Sequence, residues 1–253
     1  MDHNRTWERP DLPGEKALIR IKATEMKEIF DRIARRYDLA NTIMSMGRHH
    51  YWRRSAVSRT ELKSKGRALD LCCGTGMITA DLAKQVGPDG RITGMDLSGE
   101  MLAIARRHLQ KWGLLHQVQL VQGDAGKLPF RKDSFDCVTI GYGLRNVPDP
   151  VKVLQEAFRV LKPDGRIVVL ETAKPLNPFF GKAYFFYLRN WIPLVGKILC
   201  HQPAAYQYLH DSIAEFFTPN EVIRFFYRAG FEDVDCTLLT LGIVGVYTGR
   251  KKR

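Results

Sequence analysis

Apolar positions change their period along the chain, and the change separates helices from strands. Between residues 21 and 37, Met26, Ile29, Phe30 and Ile33 recur three and four residues apart, which predicts an amphipathic helix. Farther on, Arg67 to Leu71 is a short apolar run that ends at Gly74-Thr-Gly76. Ile78, Leu82 and Val86 follow at helical spacing, so the segment reads as strand, tight loop, helix. Arg91 to Met95 gives a second strand, and Ser98 caps a helix with Met101, Leu102, Ala105, Leu109 and Trp112 on one stripe. Val118 to Gln122 is a third strand and Phe135 to Ile140 a fourth. Asp149 and Pro150 then open a helix carrying Val151, Leu154, Phe158 and Leu161. Lys162-Pro-Asp-Gly165 turns the chain into a fifth strand, Arg166 to Glu171. Such alternation predicts an α/β fold with a doubly wound sheet. Thr218-Pro-Asn-Glu221 has capping-box spacing and opens a helix that stops at Gly230. The runs Val234 to Leu239 and Val244 to Gly249 read as a closing, hairpin-like antiparallel edge.

Three stretches escape this alternation. Residues 1–20 are polar, contain Pro10, Pro13 and Gly14, and read as a poorly ordered tail. Tyr37 to Arg53 is dense in groups that bond, stack or titrate, more than a linker needs. Residues 175–210 hold Phe179, Phe180, Tyr184, Phe185, Phe186, Tyr187 and Trp191 among Lys182, Arg189 and Lys197, a composition suited to a lid, an interface or the wall of an apolar tunnel. The expected organisation is one domain over 21–253. It divides into a helical cap (21–65), a ligand-binding core (66–174), an aromatic insertion or lid (175–212) and a C-terminal helix with strands (213–253).

Composition narrows the setting without naming a ligand. A chain of 253 residues fits one decorated α/β domain. The 39 Lys and Arg against 27 Asp and Glu leave a formal charge of +12, which suits nucleic acid, an anionic membrane or an acidic substrate. Arg35-Arg36, Arg53-Arg54 and Lys251-Lys252-Arg253 also read simply as solvated faces. The five cysteines form no C-x-x-C pair and no metal spacing with histidine, so they are expected to be reduced, with no metal site. The polar N-terminus, with Asp2, Arg5, Glu8 and Asp11, lacks a signal-peptide pattern, and no uncharged apolar run reaches about 18 residues. A cytoplasmic protein is expected.

The Gly74-Thr-Gly76 loop carries the first chemical signal. Glycines let backbone approach a ligand closely, and the next helix offers unpaired N–H groups at its start. Asp96 ends the second strand about 20 residues later, where a carboxylate can accept hydrogen bonds from both ribose hydroxyls. The third glycine of a dinucleotide fingerprint is absent, Thr79 standing in its place, so a nucleoside-type ligand is favoured over NAD. Ligands of a parallel sheet lie beyond the carboxyl ends of its strands, which brings Asp70, Gly74, Asp96 and Asp124 together. Gly141 and Gly143 permit another close approach, immediately before Arg145 and Asn146. His49 and His50 titrate nearest neutral pH and could relay a proton, although a single histidine is more often a solvated or satisfied residue than a base.

The order strand, Gly74-Thr-Gly76, helix, strand, Asp96, then Gly123-Asp-Ala125 resembles the class I methyltransferases that use S-adenosylmethionine, over residues 66–172. Three further stretches are similar to the UbiE family of quinone-biosynthesis C-methyltransferases: Tyr37-Asp-x-x-Asn41 with His49 and Trp52; Gly143-Leu-Arg-Asn-Val147; and Arg159 to Arg166 running to Glu171. Tyr206 to Leu209 and Ala229-Gly-Phe231 extend the likeness. It implies a Rossmann-like seven-stranded sheet, mostly parallel with an antiparallel edge strand, plus N-terminal helices and a helical insertion. It also implies that Asp96 holds the ribose, Asp124 the adenine amino group, and the Gly74 to Gly76 backbone the methionine end. Thr75, Ala125, Asp70, Leu97, Met101 and Gly141 complete the implied cofactor set. Gly141 and Met77 stand where the family often has serine and a polar residue, and Ala40 where it has methionine.

Cys72-Cys-Gly-Thr75, Ile140-Gly-x-Gly143 and Leu170-Glu-Thr172 look closer to menaquinone members from Gram-positive bacteria than to ubiquinone ones. The implied reaction is methyl transfer to a ring carbon of a reduced, prenylated quinone, 2-demethylmenaquinol. Arg145, Tyr37, Asn146, His49 and His50 are the candidates to stabilise a phenolate or remove a proton. The aromatic insertion would take the prenyl tail, and the positive charge would support passing contact with the inner face of an anionic membrane. No nucleic-acid partner is expected, and a homodimer is compatible. Methylation in ubiquinone biosynthesis, of another prenylated phenol, or of RNA are the alternatives.

Overall fold

Strand β1 (Arg67–Leu71) lies in the interior of the sheet, with four of its five residues buried, as expected of a parallel strand covered on both faces. The computed structural model describes residues 23–175, 177–200 and 203–252, without the side chains of Ala23 and residues 195–207. The expected tail, residues 1–20, and the side chains of Cys200, Tyr206 and Gln207 lie outside them. Strands β2 (Arg91–Asp96), β3 (Val118–Gln122), β4 (Phe135–Gly141) and β5 (Leu161–Thr172) pair in parallel with β1 or with one another. Strands β6 (Glu232–Leu239) and β7 (Val244–Arg250) close the sheet, in the order β3-β2-β1-β4-β5-β7-β6. β7 runs antiparallel between β5 and β6, so the antiparallel edge is the expected hairpin with its second strand turned inward.

Helices cover both faces. α4 (Met77–Val86) and α5 (Gly99–Lys111) bury Leu82, Val86 and Leu109 with Ala68, Ile92 and Val118 on one face. On the other, α6 (Pro150–Val160) and α9 (Pro219–Arg228) pack Val153, Leu154, Val222 and Phe226 against Leu69, Val138 and Ile167. The caps read from sequence form as expected. Ser98 accepts from Met101 N, Asp149 accepts from Lys152 N, and Thr218 with Glu221 makes a complete capping box.

Two stripes differ from the expectation. Ile104 rather than Leu102 is buried on α5, and Trp112 stays 38% exposed, with the Lys84 ammonium over its ring. On α6 the buried set is Val153, Leu154, Ala157 and Val160, because the helix turns its 3.6-residue period toward α9. Residues 162–165 leave the register between β4 and β5, with Asp164 at φ +63°, which is the predicted turn folded into a strand irregularity.

Before β1, helices α1 (Ala23–Ile33), α2 (Tyr37–Met44) and α3 (His49–Ser58) wrap the carboxyl end of the sheet. The single helix expected over 21–37 is interrupted at Ala34–Arg36 by a tighter turn, which lets α2 leave at a new angle. α7 (Pro178–Cys200) and α8 (Pro203–Glu215) form the insertion. Leu188, Ile192 and Ile213 join Ile33, Ala40, Met101 and Ile104 in one cluster, so cap and insertion share a core. Among the described residues, no helix is long and apolar enough to cross a membrane.

Replacing Thr218 by Ala removes the acceptor for the first-turn N–H of α9. Thermal unfolding should show a loss of about 1 kcal/mol and a Tm lower by roughly 2–4 °C. An unchanged Tm would mean that packing alone holds this helix start.

Candidate active site

The loop after β1 is built from left-handed backbone. Cys72, Gly74 and Gly76 have φ of +53°, +54° and +80°, which turns the chain sharply out of the strand and into α4. Gly76 is the N-cap of α4, and a Cβ there would lie 3.0 Å from Ala105 Cβ, so its small size lets α4 approach α5. Asp96, at the end of β2, accepts from Gly74 N at 2.8 Å and from Ser98 N at 2.9 Å, joining the loops that follow two neighbouring strands. Burial pushes its carboxyl above the usual range, and the backbone donors oppose that shift. Thr75 is 2% exposed and donates its hydroxyl to Asp38 Oδ1 at 2.7 Å, while His108 Nδ1 donates to the Thr75 carbonyl at 3.1 Å. Asp38 therefore fastens the α2 cap to the glycine loop.

Two cavities meet at this loop. The smaller, about 90 Å³, is lined by Asp96, Leu97, Met101, Asp124 and Ala125 and is closed by Met26 and Phe30 of α1. It offers two carboxylates between apolar walls, a match for the hydroxyls and flat base of a nucleoside. Asp124 is exposed, and its Oδ1 accepts from Gly126 N at 2.8 Å. The larger cavity, about 680 Å³, runs from Gly74 and Thr75 past Arg145 into an apolar wall that includes Met44, Ile78, Tyr184, Leu188 and Ile192. Tyr37, Cys72, Gly74, Gly141 and Tyr142 line both. A group on a ligand in one cavity can there reach a ligand in the other.

Arg145 stands on the wall of the larger cavity. Its side chain is 7% exposed, and its Nη1 donates to Glu171 Oε1 at 2.8 Å and to the Tyr142 carbonyl at 2.7 Å. Glu171 is fully buried on β5, and its Oε2 also accepts from Arg145 N at 3.2 Å. Burial is the largest single influence and opposes the guanidinium charge, but Glu171 together with the neighbouring Tyr37 and Tyr208 gives a net upward shift, so Arg145 stays protonated. Its Nε makes no hydrogen bond within the protein. Asn146 donates to the same Tyr142 carbonyl at 3.0 Å and accepts from the Tyr208 hydroxyl at 3.0 Å. Burial lifts the phenol of Tyr37 while Asn41 and Arg145 lower it, with a net upward shift.

The residues expected from sequence divide clearly. Asp96, Leu97, Met101, Asp124, Ala125 and Asn146 line the smaller cavity; Asp70, Thr75, His49 and Arg145 line the larger; Tyr37, Gly74 and Gly141 belong to both. Three of these residues are placed differently from the rest. His50 lies outside both cavities, exposed on α3 with its ring nitrogen facing Arg53, since adjacent helical residues point about 100° apart. Gly76 acts as a helix start rather than as a lining residue. Asp70 is wholly buried, and its two oxygens accept from Thr79 at 2.6 Å and Thr139 at 2.7 Å, so it braces α4 and β4 under the loop.

His49 reaches the cavity, but burial, then His50 and Arg53, lower its pKa to about 4, which makes it a weak base. The Cys72 thiol at the junction is pushed up, first by burial and then by Asp96, and is no thiolate at neutral pH. Gly141 has a steric reason, because a Cβ would come within 2.4 Å of Ile78 Cδ1, so a serine there would displace Ile78. Asp38, Tyr142 and Glu171 were not singled out from sequence for a role in the site. A buried acid three strands' length from its arginine leaves no spacing signal, although Glu171 did close a recognised stretch.

Comparison with known proteins agrees with this arrangement. Residues 18–251 match the model of the ubiE/COQ5 methyltransferase family. The demethylmenaquinone methyltransferase of Desulfitobacterium hafniense is 43% identical over 232 residues, covering 92% of this chain and 92% of that protein. That of Geobacillus stearothermophilus is 41% identical, covering 91% and 98%. Among solved structures, a SAM-dependent methyltransferase from Aquifex aeolicus superposes with a TM-score of 0.59 at 18% identity, over 91% of this chain and 99% of that one. Phosphoethanolamine N-methyltransferase 2 of Haemonchus contortus, solved with S-adenosyl-L-methionine, gives 0.59 at 16% identity, over 79% and 52%. The two structural likenesses establish the class I methyltransferase fold.

Truncating Glu171 to Ala leaves the Arg145 guanidinium buried without its partner. Denaturant unfolding should show a loss of about 3–5 kcal/mol, and a loss below about 1 would mean that water replaces the carboxylate. His49 holds fewer protons folded than unfolded between its ordinary 6.5 and about 4, so its contribution to stability falls as pH drops through that window. The stability difference between His49→Gln and the wild type should shift in the variant's favour over that range. A pH-independent difference would show that the imidazole titrates normally.

Proposed function

Because the chain belongs to the ubiE/COQ5 methyltransferase family, we propose that it transfers a methyl group from S-adenosylmethionine to a ring carbon of 2-demethylmenaquinol, yielding menaquinol. The observation that carries this reading is the junction of a small cavity with nucleoside chemistry and a large apolar one at Tyr37, Cys72, Gly74, Gly141 and Tyr142. Asp96 would accept from the ribose hydroxyls with the lone pairs its backbone donors leave, and Asp124 from the adenine amino group. Leu97, Met101 and Ala125 would flank the base. When bound, S-adenosylmethionine would supply an electrophilic methyl on sulfur: as the carbon–sulfur bond breaks and S-adenosylhomocysteine leaves, the quinol ring carbon would gain the methyl and then give up its ring proton to water, which restores the aromatic ring.

The protein's share is placement and charge. Holding the ring carbon in line at the junction removes part of the entropic barrier. Electron density at that carbon rises as the neighbouring hydroxyl loses its proton, so a fixed cation beside the oxygen favours the reactive form. Arg145 is that cation, kept charged by Glu171 and held by the Tyr142 carbonyl. His49, with a pKa of about 4, is too weak a base to hold a phenolic proton, so charge stabilisation by Arg145 takes precedence over general-base catalysis by the imidazole. Tyr37, between the cavities, would align the ring. The wall of α7 and α8, with Tyr184, Leu188, Ile192, Leu209 and Ile213, suits a prenyl tail. A substrate of that kind resides in a membrane, so contact with a membrane surface follows from this reading.

The direct test is incubation with methyl-labelled cofactor and an anaerobically reduced 2-demethylmenaquinone analogue, read by mass. Absence of methylated product would sink the proposal. Arg145→Ala should lower kcat by about 10²–10³ and leave the cofactor Kd little changed. Equal losses in both would give Arg145 a purely structural role. Asp96→Asn should do the reverse, weakening cofactor binding by about tenfold or more, near 1.4 kcal/mol.

A further inference from the structure

Helix α7 has two unlike faces. Tyr184, Leu188 and Ile192 point into the large cavity. On the opposite side, Phe179 is 83% exposed, Phe186 71%, Trp191 51% and Leu194 45%, with Lys182 and Arg189 exposed among them. The neighbouring α2 is fastened to α7 by the Tyr187 hydroxyl, which donates to the Met44 carbonyl at 2.7 Å. It adds exposed Leu39 and Ile43, and Met46 follows in the turn after it. Single exposed apolar residues are ordinary, but such a row along adjoining helices marks an interaction surface.

Charge is segregated to the same place. Of the 27 acidic residues, none falls between Glu171 and Asp211, a stretch with four Lys or Arg of which Lys182 and Arg189 are exposed on this face, and Leu39 to Met46 carries no charged residue. An outward face of aromatic and basic residues with no acid is the pattern of a helix lying in a membrane interface. Met46 and Leu241, 77% and 73% exposed, also line the large cavity, so its mouth opens beside this face.

We propose that the outward face of α7, with the Leu39–Met46 edge of α2, docks on an anionic lipid bilayer and sets the cavity mouth at the surface from which a prenylated substrate enters. This rests on the reading of the substrate as a prenylated quinol. Aromatic side chains would sit at headgroup depth, while Lys182 and Arg189 meet lipid phosphates.

The test is flotation of the full-length protein with vesicles of phosphatidylcholine alone or mixed with phosphatidylglycerol. The wild type should float with the anionic vesicles and be released as salt is raised. Phe179→Asp with Phe186→Asp should weaken that binding ~10-fold or more. The same variant should methylate a soluble, short-tailed quinol within about twofold of wild type, as exposed substitutions seldom perturb the fold, yet lose turnover of long-tailed quinol held in vesicles. Should it melt early, Phe186→Gln with Leu194→Gln repeats the test without added charge. Unchanged vesicle binding in the variants, or no preference for anionic vesicles, would overturn the proposal. So would a dimer that the substitutions split without loss of vesicle binding, since the face would then belong to a second copy of the chain. Failure of the wild type to methylate the soluble quinol would count against the proposed reaction, while flotation would still decide the docking face.

Discussion

The constraint on which the site depends is the reversal of strand order at β1 and β4. From this point the chain winds outward through β2 and β3 on one side and through β5 on the other, so the loops leaving β1 and β4 diverge and leave a crevice between them. The first loop fills its side with left-handed backbone at Cys72, Gly74 and Gly76; the second places Tyr142, also at positive φ, opposite it. The groups assigned to the site sit on these loops, at or just past the neighbouring strand ends that carry Asp96, Asp124 and Glu171, or on segments folded over them. The small nucleoside-like cavity and the large apolar one are the two halves of that crevice, divided by the residues they share.

Four carboxylates, fully buried at Asp70 and Glu171 and partly exposed at Asp96 and Asp38, hold this geometry. Asp96 ties the loops after β1 and β2, Asp70 ties α4 to β4, Asp38 ties the cap to the glycine loop, and Glu171 holds Arg145. Each would be costly alone, and each is satisfied by at least one short hydrogen bond. Arg145 illustrates the consequence. A guanidinium with 7% exposure stays charged beside the Glu171 carboxylate, and that pairing offsets much of its cost of burial. The large cavity thus carries a guanidinium, paired with Glu171, on a wall that otherwise mixes apolar and polar side chains.

Cap and insertion belong to one system. Cluster residues from α1, α2, α5, α7 and α8 pack together, so closing the nucleoside cavity and walling the apolar one involve the same core. Asp31 reinforces this from α1 by accepting from the Ser98 hydroxyl at 2.5 Å, next to the loop that Asp96 organises. The apolar outward face of α7 and the substrate wall are opposite sides of a single helix.

Much of this was legible in the chain because it is encoded locally. Two glycines after a strand, a carboxylate at the next strand's end, capping residues and the alternation of periods fixed the sheet, the nucleoside pocket and the likeness to a methyltransferase family, since backbone freedom and hydrophobic period act over a few residues. His50 could not be told from His49, because one faces solvent and the other the cavity only once α3 is docked. Asp38, Tyr142 and Glu171 went unassigned because their partners, Thr75 and Arg145 among them, are 37 and 26 residues away for the two acids and meet only when strands pair. The division of α7 into a cavity wall and an exposed face likewise needed α2, α5 and α8 in place. Sequence by itself determined which elements form and what kind of donor they bind. Tertiary structure decided which side chains turn inward and which charges are neutralised, because burial and pairing are properties of neighbours distant in the chain.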